Sequence, residues 1–201
     1  HPVAVLPNGV DLPSLPYRKP IMHKNPIMLF VGNFRWHPNR DAASVLANRI
    51  WPEIRRHVPS SHLVIAGRDV PKTLRSSVIR SGGQVMEAVE DIATLYQGAD
   101  VFVAPHSIAG GTKFKMLEAM ATGLPVVTTK QGMSGLDMEP GVHYFEATTP
   151  DEFSVQIRTV WDTMSRTQAV AANARKRIET LYDWNNIASV LEKVWENAYA
   201  R

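Results

Sequence analysis

Residues 101–128 constrain the fold more than any other stretch. Val101, Phe102, Val103 and Ala104 form a continuous apolar run, the pattern of a strand buried on both faces. Gly110-Gly111-Thr112 then opens a helix, Gly123 closes it, and Pro125-Val126-Val127-Thr128 reads as a second strand. Strand, loop, helix and strand in this order make a parallel crossover, because a tight turn joins only antiparallel neighbours.

The start of this helix breaks an electrostatic rule. A helix N-terminus carries partial positive charge and favours acidic residues, yet Lys113 and Lys115 stand in the first turn. An anion docked there would gather the free N–H groups and both ammonium groups. The plainer reading is two solvated lysines on an exposed end, and spacing alone leaves both readings open. On a helical wheel, Phe114, Leu117 and Ala121 share one side, flanked by Met116 and Met120. Thr112, Lys115, Glu118 and Thr122 share the other. Glu118 can accept hydrogen bonds from a diol such as a ribose. Its alternative is a simple Lys115–Glu118 surface pair, worth a few tenths of a kcal/mol.

The same alternation recurs along the chain. Strands are expected at Ile27–Val31, His62–Ala66 and Gln84–Glu87, with a weak last one at His143–Phe145. Helices are expected from Asp41 to about His57, with Pro52 as a bend or break, from Pro71 to Gly82-Gly83, and from an Asp91 cap through Tyr96. Residues 11–26 are proline-rich and read as a linker or extended arm outside the core. After Pro150 the chain is helical, with a face of Phe153, Ile157, Val160, Trp161 and Met164, a polar segment from Gln168 to Arg177, and a last helix from Trp184. The fold class is therefore α/β: a doubly wound, Rossmann-like parallel sheet of about six strands with helices on both faces. Such sheets bind ligands at the C-terminal strand edge. Gly32, Asn33, Gly67, Arg68, Val89, Pro105 and the turn from Gly110 to Lys115 are expected around one cleft there. No G-x-G-x-x-G follows the first strand, which argues against a conventional dinucleotide site.

Composition removes several classes. With no cysteine, disulfides and thiolate metal sites are excluded, and the 7 histidines show no ligand spacing, so no metal is expected. The net charge of +3 is carried by dispersed Lys and Arg, which suits an anionic small molecule or an acidic membrane surface. No basic and aromatic motif for nucleic acid is present. Neither a membrane span nor a signal peptide is visible. The chain opens on His1-Pro2 rather than Met and reads as a piece of something longer.

A set of landmarks in fixed order then resembles a known family. They are Leu6-Pro7-Asn8-Gly9-Val10-Asp11, Phe30-Val31-Gly32, Val64-Ile65-Ala66-Gly67, the run from Tyr96 to Pro105, the run from Leu117 to Val127, and Tyr182-Asp183-Trp184. Over nearly its whole length the chain resembles the C-terminal, nucleotide-sugar-binding domain of retaining GT-B fold glycosyltransferases of family 4 type. Gly-Gly-Thr-x-x-Lys-x-x-Glu is similar to a variant motif of a polysaccharide-type subset. The resemblance implies an inter-domain strand and linker at 1–26, a donor-binding domain at 27–183 and a C-terminal helix at 184–201; Trp195 there reads as helix packing, with docking on an absent N-terminal domain as the alternative. It implies that Glu118 binds the donor ribose, that Gly110, Gly111 and Thr112 hold the diphosphate, and that the Val89 loop faces the base.

The departures from the family pattern are specific. Gly110 stands where a first carboxylate is expected, Asn33 where an arginine is, and Asn39 where a lysine is. Lys113, Lys115 and Arg68 are expected to supply the missing charge beside Gly32 and Asn33. The resemblance further implies a nucleotide-diphosphate sugar as donor substrate, no cofactor, and catalytic residues in the absent N-terminal domain. That domain would also meet a glycan or lipid-linked acceptor, in the cytoplasm at the inner face of the membrane. Alone, the fragment is expected to bind donor and turn over nothing. A sugar-nucleotide epimerase half and a non-catalytic, degenerate nucleotide-binding module are the alternatives. His37 and His106 read as loop residues and Trp36 as packing.

Overall fold

The computed structural model describes residues 3–87, 89–108 and 113–199. Its centre is a six-stranded, wholly parallel sheet in the order β3-β2-β1-β4-β5-β6, with helices on both faces, as expected. The strands are β1 (Ile27–Asn33), β2 (His62–Arg68), β3 (Gln84–Glu87), β4 (Val101–Ala104), β5 (Val126–Thr128) and β6 (Phe145–Glu146). Every residue of β4 and β5 is buried, which is why these strands read as unbroken apolar runs.

The first two strands run further than their apolar letters. β1 and β2 stay paired through Gly32↔Gly67 and Asn33↔Arg68. Gly32 therefore lies inside its strand and does not end it. Gly67 has φ +143°, and a Cβ there would fall 1.8 Å from the Gly32 carbonyl oxygen. Only glycine permits this close backbone approach at the ligand edge.

The first crossover differs from the expected helix. It begins as α1 (His37–Val45), before Asp41, with Trp36 at the N-cap and a proline in its first turn. That proline, Pro38, suits a first turn because no intrahelical partner awaits its missing N–H. Asp41 instead accepts a hydrogen bond from Ser107 Oγ at 2.7 Å. A π-helical segment, Leu46–Ile50, leads directly into α2 (Trp51–His57). Pro52 does not break the run, because the wider turn before it accommodates the hydrogen bond that proline cannot make.

α3 (Lys72–Arg80) and α4 (Ile92–Gly98) follow the expected pattern. Asp91 caps α4 by accepting from the Ala93 and Thr94 N–H groups at 2.9 and 3.3 Å. α5 (Phe114–Ala121) is the crossover helix between β4 and β5, and Lys113 is its N-cap. A short α6 (Lys130–Met133) follows β5. α7 (Pro150–Asp162) opens with a capping box of Thr149 and Glu152.

The polar segment from Gln168 to Arg177 proves to be the middle of one long helix, α8 (Met164–Leu181). Its buried stripe is Thr167, Val170, Ala171, Ala174 and Ile178. Small side chains weaken that stripe as a sequence signal and let α8 pack closely on α5. The last helix among the described residues is α9 (Trp184–Tyr199), where Val190 and Trp195 are exposed.

The proline-rich arm is part of the core, against expectation. Val10 and Leu15 are buried, with a turn of 3-10 helix at Leu12–Ser14 between them. Val10 N–H donates to the Tyr182 carbonyl at 2.7 Å, and Arg18 N–H to that of Thr122 at 2.9 Å. The Arg18 guanidinium donates to the Ala99 carbonyl at 2.6 Å. Buried Asp100 accepts from His23 Nδ1 at 2.6 Å and from Ile27 N–H at 2.7 Å. Proline removed the periodic signal, while hydrogen bonds to distant backbone groups hold the segment in place.

Candidate functional site

The C-terminal ends of β1 and β4 and the start of α5 enclose a cavity of about 820 Å³. Gly32 and Asn33 enter it from β1, Asn39 from α1, His106 from beyond β4, and Lys113, Lys115 and Glu118 from the α5 region. The crossover thus brings the expected lysines to the strand edge.

Lys115 is the centre of this arrangement. Its Nζ donates to Asn39 Oδ1 at 2.5 Å and lies 4.8 Å from the centre of the Phe30 ring. Asn39 Nδ2 in turn donates to the Asn33 carbonyl at 2.6 Å. One neutral amide therefore bridges the end of β1 to the first turn of α5. Burial, and then the nearby Lys113 charge, push the Lys115 pKa down to about 7, against the opposing pull of Glu118. Lys115 is half-buried and Lys113 buried, and burial lowers the pKa of Lys113 as well. These are not solvated lysines on an exposed end.

His106 is 5 % exposed, and burial together with both lysines lowers its pKa to about 3, so the ring stays neutral. Its ring lies 5.7 Å from that of Phe30. The sequence reading of His106 as a loop residue missed this burial beneath the lysines.

Glu118 does not pair with Lys115, so the surface-pair alternative is not what forms. Its Oε2 accepts from the Tyr96 hydroxyl at 2.8 Å. Tyr96 is fully buried at the end of α4, and burial and the Glu118 charge raise its pKa far above the usual range. The wheel also misplaces Phe114: it is 40 % exposed on the cavity rim, while Met116, Leu117, Ala119, Met120 and Ala121 are buried.

Among the described residues, the strand edge carries adjoining hollows that share lining residues, the lysine cavity being the first of them. Arg68 and Val89 line a second hollow of about 720 Å³, which shares Asn33 with the lysine cavity. A third, of about 340 Å³, lies by Asp11, Asp91 and Trp184; it shares Glu90 with the second and Glu118 with the first. Gly67 is wedged against β1, and Arg68 lines the second hollow while the two lysines line the first. Gly110, Gly111 and Thr112 lie outside the described residues. Among those described, no cluster of His, Asp and Glu offers a metal site, and no helix is long and apolar enough to cross a membrane.

The family of glycosyl transferases group 1 matches residues 25–163, which include every strand and both lysines. The chain belongs to this family. Among curated relatives, a phosphatidyl-myo-inositol mannosyltransferase of Mycobacterium leprae is 29 % identical over 205 residues, covering 95 % of this chain and 52 % of that protein. A glycogen synthase of Mycobacterium tuberculosis is 27 % identical over 206 residues, covering 96 % and 48 %. The group 1 chain thus spans about half the length of the curated relatives it matches. Solved structures share the fold. Sucrose-phosphate synthase from Thermosynechococcus elongatus superposes with a TM-score of 0.78 at 20 % identity, covering 97 % of this chain and 52 % of that one. HepE of Anabaena, solved with UDP and glucose, gives 0.74 at 18 %, covering 98 % and 57 %. The C-terminal domain of a group 1 glycosyl transferase from Francisella tularensis gives 0.65 at 18 %, covering 88 % of this chain and all of that one. Fold and family together identify a GT-B C-terminal domain.

Proposed function

We propose that this domain binds the donor of a retaining, hexosyl-type glycosyltransferase of family 4 type that serves glycan or polysaccharide synthesis. The donor is a nucleoside-diphosphate sugar. One observation carries the reading: a half-buried ammonium group, Lys115, stands beside a buried one, Lys113, at the start of α5, and the hydrogen-bond partner of Lys115 is the neutral Asn39. Two cations drawn together in a half-dry cavity repel each other, and a diphosphate relieves that repulsion.

In this reading the diphosphate lies by Lys113 and Lys115, with backbone N–H groups of Gly110, Gly111 and Thr112 completing the cradle. Lys115 supplies the charge absent at Asn39. The ribose meets Glu118, further along the same face of α5. The base turns toward Val89, and Arg68 and Asn33 border its path. HepE of Anabaena, which shares the fold, was solved with UDP and glucose, and this supports a nucleotide-sugar donor here. The site is assigned no cofactor and no metal; lysines meet the donor's charge. Catalytic groups and the glycan or lipid-linked acceptor belong to the other half of the enzyme, at the inner face of the membrane, so this half alone turns over nothing.

Thermal-shift screening with UDP-, GDP- and ADP-sugars tests this directly. A ligand at about 100 times its Kd stabilises by about 2.7 kcal/mol, a readily measured shift. One nucleotide class should raise the midpoint, and Lys115→Ala should abolish the rise. No response to any of the three at millimolar concentration would sink the reading.

A further inference from the structure

We propose that Tyr96 is a positioning residue for the donor ribose: its hydroxyl holds Glu118 in its binding rotamer and commits one carboxylate oxygen, leaving the other for the sugar. This inference rests on the ribose role proposed for Glu118 and extends it to a residue that touches no ligand.

The geometry begins beneath α5. Tyr96 is 1 % exposed, and its ring lies 5.9 Å from that of Phe102, which stacks at 6.3 Å on Phe30. Phe30 in turn lies under the Lys115 ammonium. One row of buried rings on α4, β4 and β1 therefore supports both polar residues of α5 from below. Tyr96 acts on Glu118 by a hydrogen bond and Phe30 on Lys115 through its ring face.

A buried hydroxyl needs an acceptor, and backbone carbonyls commonly serve. Here the acceptor is Glu118 Oε2, at 2.8 Å. With its pKa raised far out of range, Tyr96 always donates and never competes as an anion. Glutamate has several rotatable bonds, and an unheld side chain at a cavity wall samples many rotamers. The bond from a fixed ring removes that freedom before ligand arrives. Oε1 remains, and an ionised carboxylate oxygen accepts well from a hydroxyl. Glu118 borders both the lysine cavity and the adjoining hollow, so a held carboxylate sets where the sugar crosses from one to the other.

The test is a selectivity ratio. UDP, GDP and ADP are titrated by calorimetry, and the tightest is compared with its 2′,3′-dideoxy analogue. In the unaltered domain the dideoxy form should bind ~10-fold more weakly, as for loss of a hydrogen bond to a charged group. Glu118→Ala should reduce the ratio to about 1, and Tyr96→Phe should bring it most of the way there. The double variant should equal Glu118→Ala, since the residues act as a unit. A Tyr96→Phe domain that keeps the full ratio, or loses affinity equally for both nucleotides, overturns the proposal and leaves the donor-site reading standing. An unaltered domain with a ratio of 1 overturns the ribose role itself. Should Tyr96→Phe fail to fold, proton NMR of the unaltered domain decides: the Tyr96 hydroxyl proton should stay protected from exchange with nucleotide bound, and its loss on binding refutes the inference.

Discussion

Asn39 joins Lys115 to the end of β1. Its Oδ1 takes the ammonium at 2.5 Å while its Nδ2 donates to the Asn33 carbonyl at 2.6 Å. The amide is neutral, so it seats the lysine without cancelling its charge. A carboxylate here would neutralise Lys115 and repel a diphosphate. Asn39→Asp should therefore weaken nucleotide-sugar binding by ~10-fold or more while leaving the melting temperature equal or higher. Calorimetry and a melt on the same sample separate the two effects, and undiminished affinity would show that no anion meets Lys115.

The half-buried ammonium also makes stability depend on pH. The Lys115 pKa falls from 10.5 to about 7 on folding. Between those values the unfolded chain holds more protons than the folded one, so this residue makes stability rise with pH there. Below about 7 both states are protonated and the whole cost of burying the charge remains. Lys115→Met should therefore stabilise the domain near pH 6 by roughly 2 kcal/mol, with the gain shrinking toward pH 10. Urea melts at both pH values check the sign.

The same residue should take up a proton when donor binds. An anion favours the charged form, so affinity is highest below about pH 7 and falls as pH rises through it. UDP-glucose is the suitable probe if UDP-sugars bind, because its diphosphate diester does not titrate in this range. Calorimetry in buffers of different ionisation enthalpy should show net uptake near pH 8, absent in Lys115→Ala. Equal heats across buffers would contradict it.

Much of this was legible in the letters. The apolar runs of β1, β2, β4 and β5 located the sheet, and the misplaced charges at Lys113 and Lys115 located the cavity. What stayed hidden depends on tertiary contacts. Asn39 looked like a lost cation, yet it is the seat of one supplied from residue 115. Tyr96 and Glu118 lie on different helices, and no local spacing links them. The arm lacked periodicity, and its order comes from single hydrogen bonds to distant carbonyls. The first crossover helix starts at His37, ahead of the expected Asp41 cap, with Pro38 in a first turn where its missing N–H costs nothing.

The arm supplies a stability prediction. Asp100, buried at the start of β4, accepts from both His23 and the Ile27 N–H. Asp100→Ala leaves that backbone N–H without its partner and releases the arm, at a cost of about 2–3 kcal/mol. Urea denaturation should show the loss, and protease cleavage should appear first within residues 16–24.

The sharpest test of the fold is Gly67→Ala. The neighbouring strands β1 and β2 meet at Gly32 and Gly67, and the added methyl would fall 1.8 Å from the Gly32 carbonyl oxygen. Backbone cannot yield as a side chain can, and the φ of +143° is itself costly for alanine. The pair must separate just where β1 delivers Asn33 and β2 delivers Arg68 to the ligand edge. A loss of roughly 3 kcal/mol or more is expected, with weaker nucleotide binding in whatever remains folded. Gly98→Ala is the control, because a Cβ there meets nothing within 4 Å. Equal melting temperatures for the two variants would mean that β1 and β2 do not approach at this register.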